Sequence, residues 1–166
     1  MSSTLQYKVY RDGERRGFRV DTRRESGYKT LLDQGGGMDR VRFIEHRGHR
    51  VLLLDYSGLR DEQEMLEMIE ERTEIVSREP RGSVLTLADL TGSHLSREAM
   101  RRVKEANVLD QPFVRRAALV GAETLSPKGA LESIQTFAGK NWGRFATREE
   151  ALDWLTDTSA NGALAL

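Results

Sequence analysis

The chain has 166 residues, no cysteine, and 26 Lys plus Arg against 26 Asp plus Glu, so its formal charge is zero. That length fits one domain able to bury about two thirds of its unfolded surface, and the lack of cysteine excludes a disulfide framework, a thiol nucleophile and a cysteine zinc site. The charge balance gives no argument for nucleic acid, and no apolar run approaches the roughly 20 residues of a membrane span, so the expected location is the cytoplasm.

Residues 1–37 read differently from the rest. They hold 8 Lys or Arg against 5 Asp or Glu, few aliphatic residues and a closing Gly35-Gly36-Gly37, which predicts a flexible or poorly packed extension. A short hairpin is suggested around Asp12-Gly13, between weakly strand-like segments. Gln34-Gly35-Gly36-Gly37 directly before Met38 would also suit codons of a ribosome-binding sequence, an expectation that places the native start at Met38. The domain is then 38–158, followed by a tail at 159–166.

From Met38 onward, RVRFIE (40–45) and RVLLLDY (50–56) flank His46-Arg47-Gly48-His49 and predict two antiparallel strands with a tight turn. The apolar run Val51 to Leu54 lacks alternation, so this strand should be covered on both faces. Asp61 with Glu64 has capping-box spacing and opens a helix whose inward positions are Met65, Met68, Ile69, Arg72 and Val76. Pro80 and Gly82 end it, and Ser83 to Ala88 follows as a central strand. Ser96 caps a second helix with Ala99, Met100, Val103 and Ala106 inward and a basic outer face of Arg97, Arg101, Arg102 and Lys104. The strand Val114 to Gly121 precedes Ser126-Pro127, read as an N-cap with proline at the first helical position. A third helix carries Ala130, Leu131, Ile134 and Phe137 inward, a strand runs from Trp142 to Ala146, and Thr147 to Glu150 caps a last helix through Leu155. The order is strand-strand-helix and then strand-helix three times, which predicts an α/β domain with a mixed, mostly parallel five-stranded sheet.

This order over Met38 to Asp157, with VLLLDYSGL, SVLTLADLTGS, AALVG and FATREEALDWL at the successive elements, resembles the STAS-like superfamily, the fold of anti-sigma-factor antagonists. Small bacterial STAS-like proteins of unassigned activity are the nearer resemblance. It implies a right-handed superhelix of βα units, shared with the CRAL-TRIO lipid-transfer domain. Anti-sigma antagonists carry a phosphorylatable Ser or Thr within Asp-Ser-Ser-Gly or Asp-Thr-Ser-Gly at the start of the second helix. The matching place here reads His94-Leu95-Ser96-Arg97-Glu98, with neither that Asp nor that Gly.

The candidate interaction or phosphorylation loop is Asp89, Thr91, Gly92, Ser93, Ser96 and Arg97, because a phosphate at a helix amino terminus meets free amide donors and the positive dipole end. Arg101, Arg102 and Lys104 form a candidate partner face beside the acidic first helix. Asp55 and Asp89 both end strands, where paired carboxylates can do acid-base work, and His46, His49 and His94 are too scattered to read as a metal site. Met65, Met68 and Met100 read as core. No catalytic motif, cofactor or metal is implied. The expected function is a non-enzymatic interaction or regulatory module, with a protein partner that includes a second copy of itself; the alternative is a carrier of an apolar, lipid-like molecule.

Overall fold

The computed structural model describes residues 8–11, 14–17, 28–30, 40–135 and 142–159. The turn at Asp12-Gly13, the segment Gln34 to Met38, Phe137 and residues 160–166 lie outside the described residues. Strands β1 (Lys8–Arg11) and β2 (Glu14–Gly17) pair antiparallel on either side of the position where the sequence suggests a hairpin. Strand β3 (Tyr28–Thr30), which sequence reasoning did not anticipate, pairs antiparallel with β4 (Val41–His46) at the edge of the main sheet. An edge strand is held by backbone hydrogen bonds, so an apolar pattern is not needed to place one.

β4 turns into β5 (His49–Asp55) through Arg47 and Gly48 alone. Both residues have positive φ, 49° and 77°, the type I′ geometry whose twist matches that of antiparallel strands. Helix α1 (Glu62–Ser77) starts where the sequence places it, with the Asp61 side chain accepting from the Glu64 amide at 2.8 Å. The other half of the capping box is diverted, because Glu64 pairs with Arg40 at 3.1 Å. Then come β6 (Val84–Asp89), α2 (Arg97–Asp110), β7 (Val114–Val120), a single 3₁₀ turn at Ala122–Thr124, α3 (Ala130–Gln135), β8 (Trp142–Phe145) and α4 (Arg148–Thr156). The sheet runs β3-β4-β5-β6-β7-β8, with β5 through β8 parallel.

Helices α1, α2 and α3 cover one face of the sheet, where Leu52 and Leu54 of β5 meet Met65, Met68, Ala99, Val103 and Leu131. Met100 is partly buried against this layer, so all three methionines singled out above pack as core. Among the described residues the opposite face is covered by α4, whose Ala151, Leu152 and Leu155 close over Val51, Leu53, Leu87 and Ala118. The unalternating run of β5 is thus buried from both sides, as its sequence requires.

The N-cap expected at Ser126-Pro127 is not formed, because α3 begins only at Ala130. Ser126 lies instead in a parallel bridge to His94, its amide donating to the Ser93 carbonyl at 3.1 Å and its carbonyl accepting from the Leu95 amide at 2.8 Å. A residue committed to pairing with the neighbouring loop cannot also turn back onto a helix start. Cap spacing registers local geometry and not this tertiary competition.

Candidate functional site

The parallel strands deliver their carboxyl ends to one rim, and each terminal aspartate meets the loop that follows it. Asp55 Oδ1 accepts from the Ser57 hydroxyl at 2.5 Å and from the Ser57 amide at 3.1 Å. Asp89 Oδ1 accepts from the Thr91 amide at 3.0 Å. Both carboxylates converge on Arg148 at the first turn of α4: Nη2 reaches Asp55 Oδ1 at 3.0 Å and Nε reaches Asp89 Oδ2 at 2.6 Å. Arg40 adds a second cation, donating from Nη1 to the carbonyls of Asp55 and Ser57, both at 3.0 Å.

The electrostatics are those of a clasp. Burial by itself raises the Asp55 pKa, but hydrogen bonds from Ser57 and Arg148, with the arginine charge, outweigh it and hold the carboxyl below its ordinary value. Burial likewise opposes the charge on Arg148, and the two aspartates more than offset this, so its pKa rises. A general acid at neutral pH needs the opposite, a carboxyl pushed up by an apolar or like-charged neighbour. The strand order also runs in one direction along the sheet, so the rim lacks the reversal that opens a ligand crevice in doubly wound folds.

The loop singled out from the sequence is held on both sides. Gly58 donates to the Thr91 carbonyl at 2.7 Å and His94 to the Leu59 carbonyl at 2.9 Å, which joins it to the loop after β5. Gly92 donates to the Thr124 hydroxyl at 2.8 Å, and the Ser93–Ser126 and Leu95–Ser126 bonds join it to the loop after β7. Gly121 permits this closeness: its φ is 66°, and a Cβ there would lie 2.8 Å from the Thr91 Cα.

Within this loop, Thr91 is exposed and Gly92 half-buried, while Ser93 is 1% exposed with its hydroxyl donating to the Leu90 carbonyl at 2.8 Å. Ser96 is half-buried, caps α2 by accepting from the Ala99 amide at 3.0 Å, and has exposed Arg97 next to it. Of the candidate hydroxyls, Ser93 is sealed, and Thr91 and Ser96 reach the surface.

The basic face of α2 is largely paired within the chain. Arg101 bonds Glu98 at 3.0 Å through Nε and Glu105 at 2.5 Å through Nη1, and Arg102 reaches Glu70 of α1 at 3.1 Å. Lys104 is half-buried. Farther along, Val108 and Leu109 are 52% and 61% exposed, the large hydrophobic side chains that the described residues leave uncovered. Leu109 borders a groove of about 330 Å³ between α1 and α2 that Ile69, Thr73 and Ala106 also line.

The structure brings Asp55 and Asp89 together through Arg148, sets His46 opposite His49 across the β4–β5 hairpin and places His94 in the loop after β6. His94 Nδ1 lies 3.2 Å from the Ser126 hydroxyl, whereas His46 Nε2 lies 2.8 Å from Asp153 on the α4 face. Arg148, Arg40 and Thr124 escape sequence reasoning because their partners are distant in the chain. A second cluster was within reach of it: Arg72, on the apolar stripe of α1, is buried and donates to Asp110 of α2 at 2.7 Å and to Asn107 at 2.6 Å. A charge on an inward stripe requires a partner, and Asp110 continues the inward series Val103, Ala106 of the facing helix. The chain matches no known family model, and no characterised protein or solved structure matches it.

Proposed function

We propose that this protein is a non-enzymatic interaction module of the STAS-like type that self-associates through α2. The observation that carries this reading is the pair Val108 and Leu109 on the helix singled out from sequence as the partner face. Val108 continues the stripe of Arg97, Arg101 and Lys104, and Leu109 borders the α1/α2 groove. A helix spaces its inward positions by three and four residues, and Val108 and Leu109 fall between the buried Ala106 and Asp110. Their apolar area is therefore available to a second molecule.

A second copy is the occupant we favour because the groove is self-complementary. It sets the apolar Ile69 and Ala106 beside Leu109, and a two-fold axis near Leu109 would place each leucine in the other copy's groove. Two apolar anchors per copy make a small interface, so association should be weak and concentration-dependent.

The finer fold reading rests on topology. Each crossover from β5 to β8 moves one strand in the same direction with its helix on the same face, so all three have one hand, and parallel crossovers are overwhelmingly right-handed. That supports the STAS-like superhelix. A cytoplasmic location is supported by the cysteine-free composition. The lipid-carrier alternative is disfavoured by size: the cavity under α2 and α3 is about 100 Å³, against the roughly 300 to 1,000 Å³ of ordinary ligand pockets.

Sedimentation velocity of the wild type and of Leu109→Asp over a wide concentration range tests the proposal. The wild type should shift reversibly from monomer to dimer as concentration rises, and Leu109→Asp should stay monomeric with unchanged thermal stability. A wild type that remains monomeric throughout, or a variant that dimerises equally well, overturns it.

A further inference from the structure

The cavity of about 100 Å³ under α2 and α3 has Leu54, Leu90, Leu95, Leu119, Leu131 and Ile134 among its walls and a polar end formed by Tyr56, Arg72, Asn107 and Asp110. Tyr56 is only 4% exposed, and its hydroxyl has no hydrogen-bond partner among the described residues. The Arg72 guanidinium lies near enough for its charge to act on the phenol, without a hydrogen bond of ordinary geometry between them. Arginine carries only donors, so it cannot receive the phenol hydrogen in any case. A buried O–H that makes no hydrogen bond among the described residues and faces a cavity can take an acceptor from outside the chain.

Three properties of the site define that acceptor. The walls are apolar, so most of the molecule must be hydrocarbon. The Arg72 and Asp110 charges already balance, and an entering anion would leave a buried negative charge without compensation, so the molecule must be neutral. An engineered cavity of about 150 Å³ holds the six carbons of benzene, so about 100 Å³ suits four or five non-hydrogen atoms. We propose that this cavity is a binding site for a small neutral aliphatic molecule with one acceptor oxygen, of the class of a four-carbon ketone or alcohol, oriented by the Tyr56 hydroxyl. The site stands independently of α2-mediated self-association, because Val108 and Leu109 do not line it.

The probe is butan-2-one, titrated into the full chain with methyl-selective carbon-13 NMR, and with butanoate as the charged control of similar shape. Saturable shifts are expected for the methyls of Leu95, Leu131 and Ile134, and none for those of Leu152 or Leu155 across the sheet. Butanoate should leave the cavity methyls in place. Tyr56→Phe should keep the fold, since the lost hydroxyl makes no hydrogen bond among the described residues, and should weaken binding by about 2- to 10-fold, as for one hydrogen bond. Ala88→Leu, which fills the space from the sheet side, should abolish the shifts even if Tyr56→Phe proves unstable. The proposal is overturned if butan-2-one up to about 50 mM moves no cavity methyl, a range that covers the weak affinity of so small a ligand. Equal binding by wild type and a folded Tyr56→Phe also overturns it, leaving water as the acceptor.

Discussion

On the face that α4 covers, Ala151, Leu152 and Leu155 close directly onto β5, β6 and β7, and the buried Arg116 stacks 4.3 Å from the Trp154 ring while donating to the Trp154 carbonyl at 2.7 Å. A cation at the carboxyl end of a helix is favourably placed, so this arginine needs no carboxylate. On the face that α1, α2 and α3 cover, the buried Arg72 requires Asp110 and Asn107, a hydroxyl stands without a partner, and a cavity remains. Among the described residues one helix packs Ala151, Leu152 and Leu155 onto its face, whereas three helices leave internal space and an uncovered apolar edge on α2. The features open to a ligand or partner lie on the three-helix side.

Removing one partner of the sealed ion pair should have the largest effect. Arg72→Met leaves Asp110 charged and buried, and should destabilise the fold by about 3–5 kcal/mol in denaturant unfolding, whereas Arg72→Met with Asp110→Leu should recover most of that loss. If the double variant is no better than the single one, the cost arises from packing and not from the stranded charge.

A matched pair of leucine truncations sharpens the comparison of faces. Leu152→Ala under α4 should cost about 3–4 kcal/mol, and Leu131→Ala beside the existing cavity about 2 kcal/mol, since Leu131 has open space on one side. Equal losses would mean that both faces are packed alike.

The rim clasp should come next. Arg148→Ala should cost about 1–3 kcal/mol, less than a fully buried pair because Arg148 is partly open to water. Because Asp55 titrates below its ordinary value of 3.8 in the folded chain, its contribution is complete above that pH and is lost as pH falls through the lower folded value. The stability difference between wild type and Arg148→Ala should therefore be constant near neutrality and shrink below about pH 4, read from unfolding at stepped pH. A difference that persists unchanged at pH 2 would assign the effect to side-chain packing. Smallest is Ser96→Ala, which removes the α2 cap and should cost about 1 kcal/mol in the same assay.

The fold was legible wherever one local rule decided the outcome. Asp61, Ser96 and Thr147 cap the helices their spacing predicts, and the apolar β5 lies inside the sheet. The reading failed at Ser126, where a loop pairing 32 residues away along the chain won over a local cap motif. It missed β3, whose pairing is carried by backbone. For the candidate site, the strand-end position singles out Asp89 and its loop, but Arg148, which bridges Asp55 and Asp89, reads in the sequence as part of a capping box. Nothing local distinguishes an arginine that fills a helix turn from one that bridges two strand ends. Val108 and Leu109 were legible in principle, as apolar residues off the inward stripe of an amphipathic helix.

Because the chain has no cysteine, a single introduced one can carry a spin label without background. The most direct test of association through α2 is the distance between labels on two copies, with Glu105→Cys as the reporter and Glu149→Cys on α4 as the reference. Helices packed across a two-fold axis lie about 8–10 Å apart, so Glu105→Cys labels should give a narrow distribution within about 30 Å, and Glu149→Cys labels a clearly longer one. No dipolar coupling from Glu105→Cys at dimer-forming concentrations, or a shorter distance from Glu149→Cys, would contradict the account.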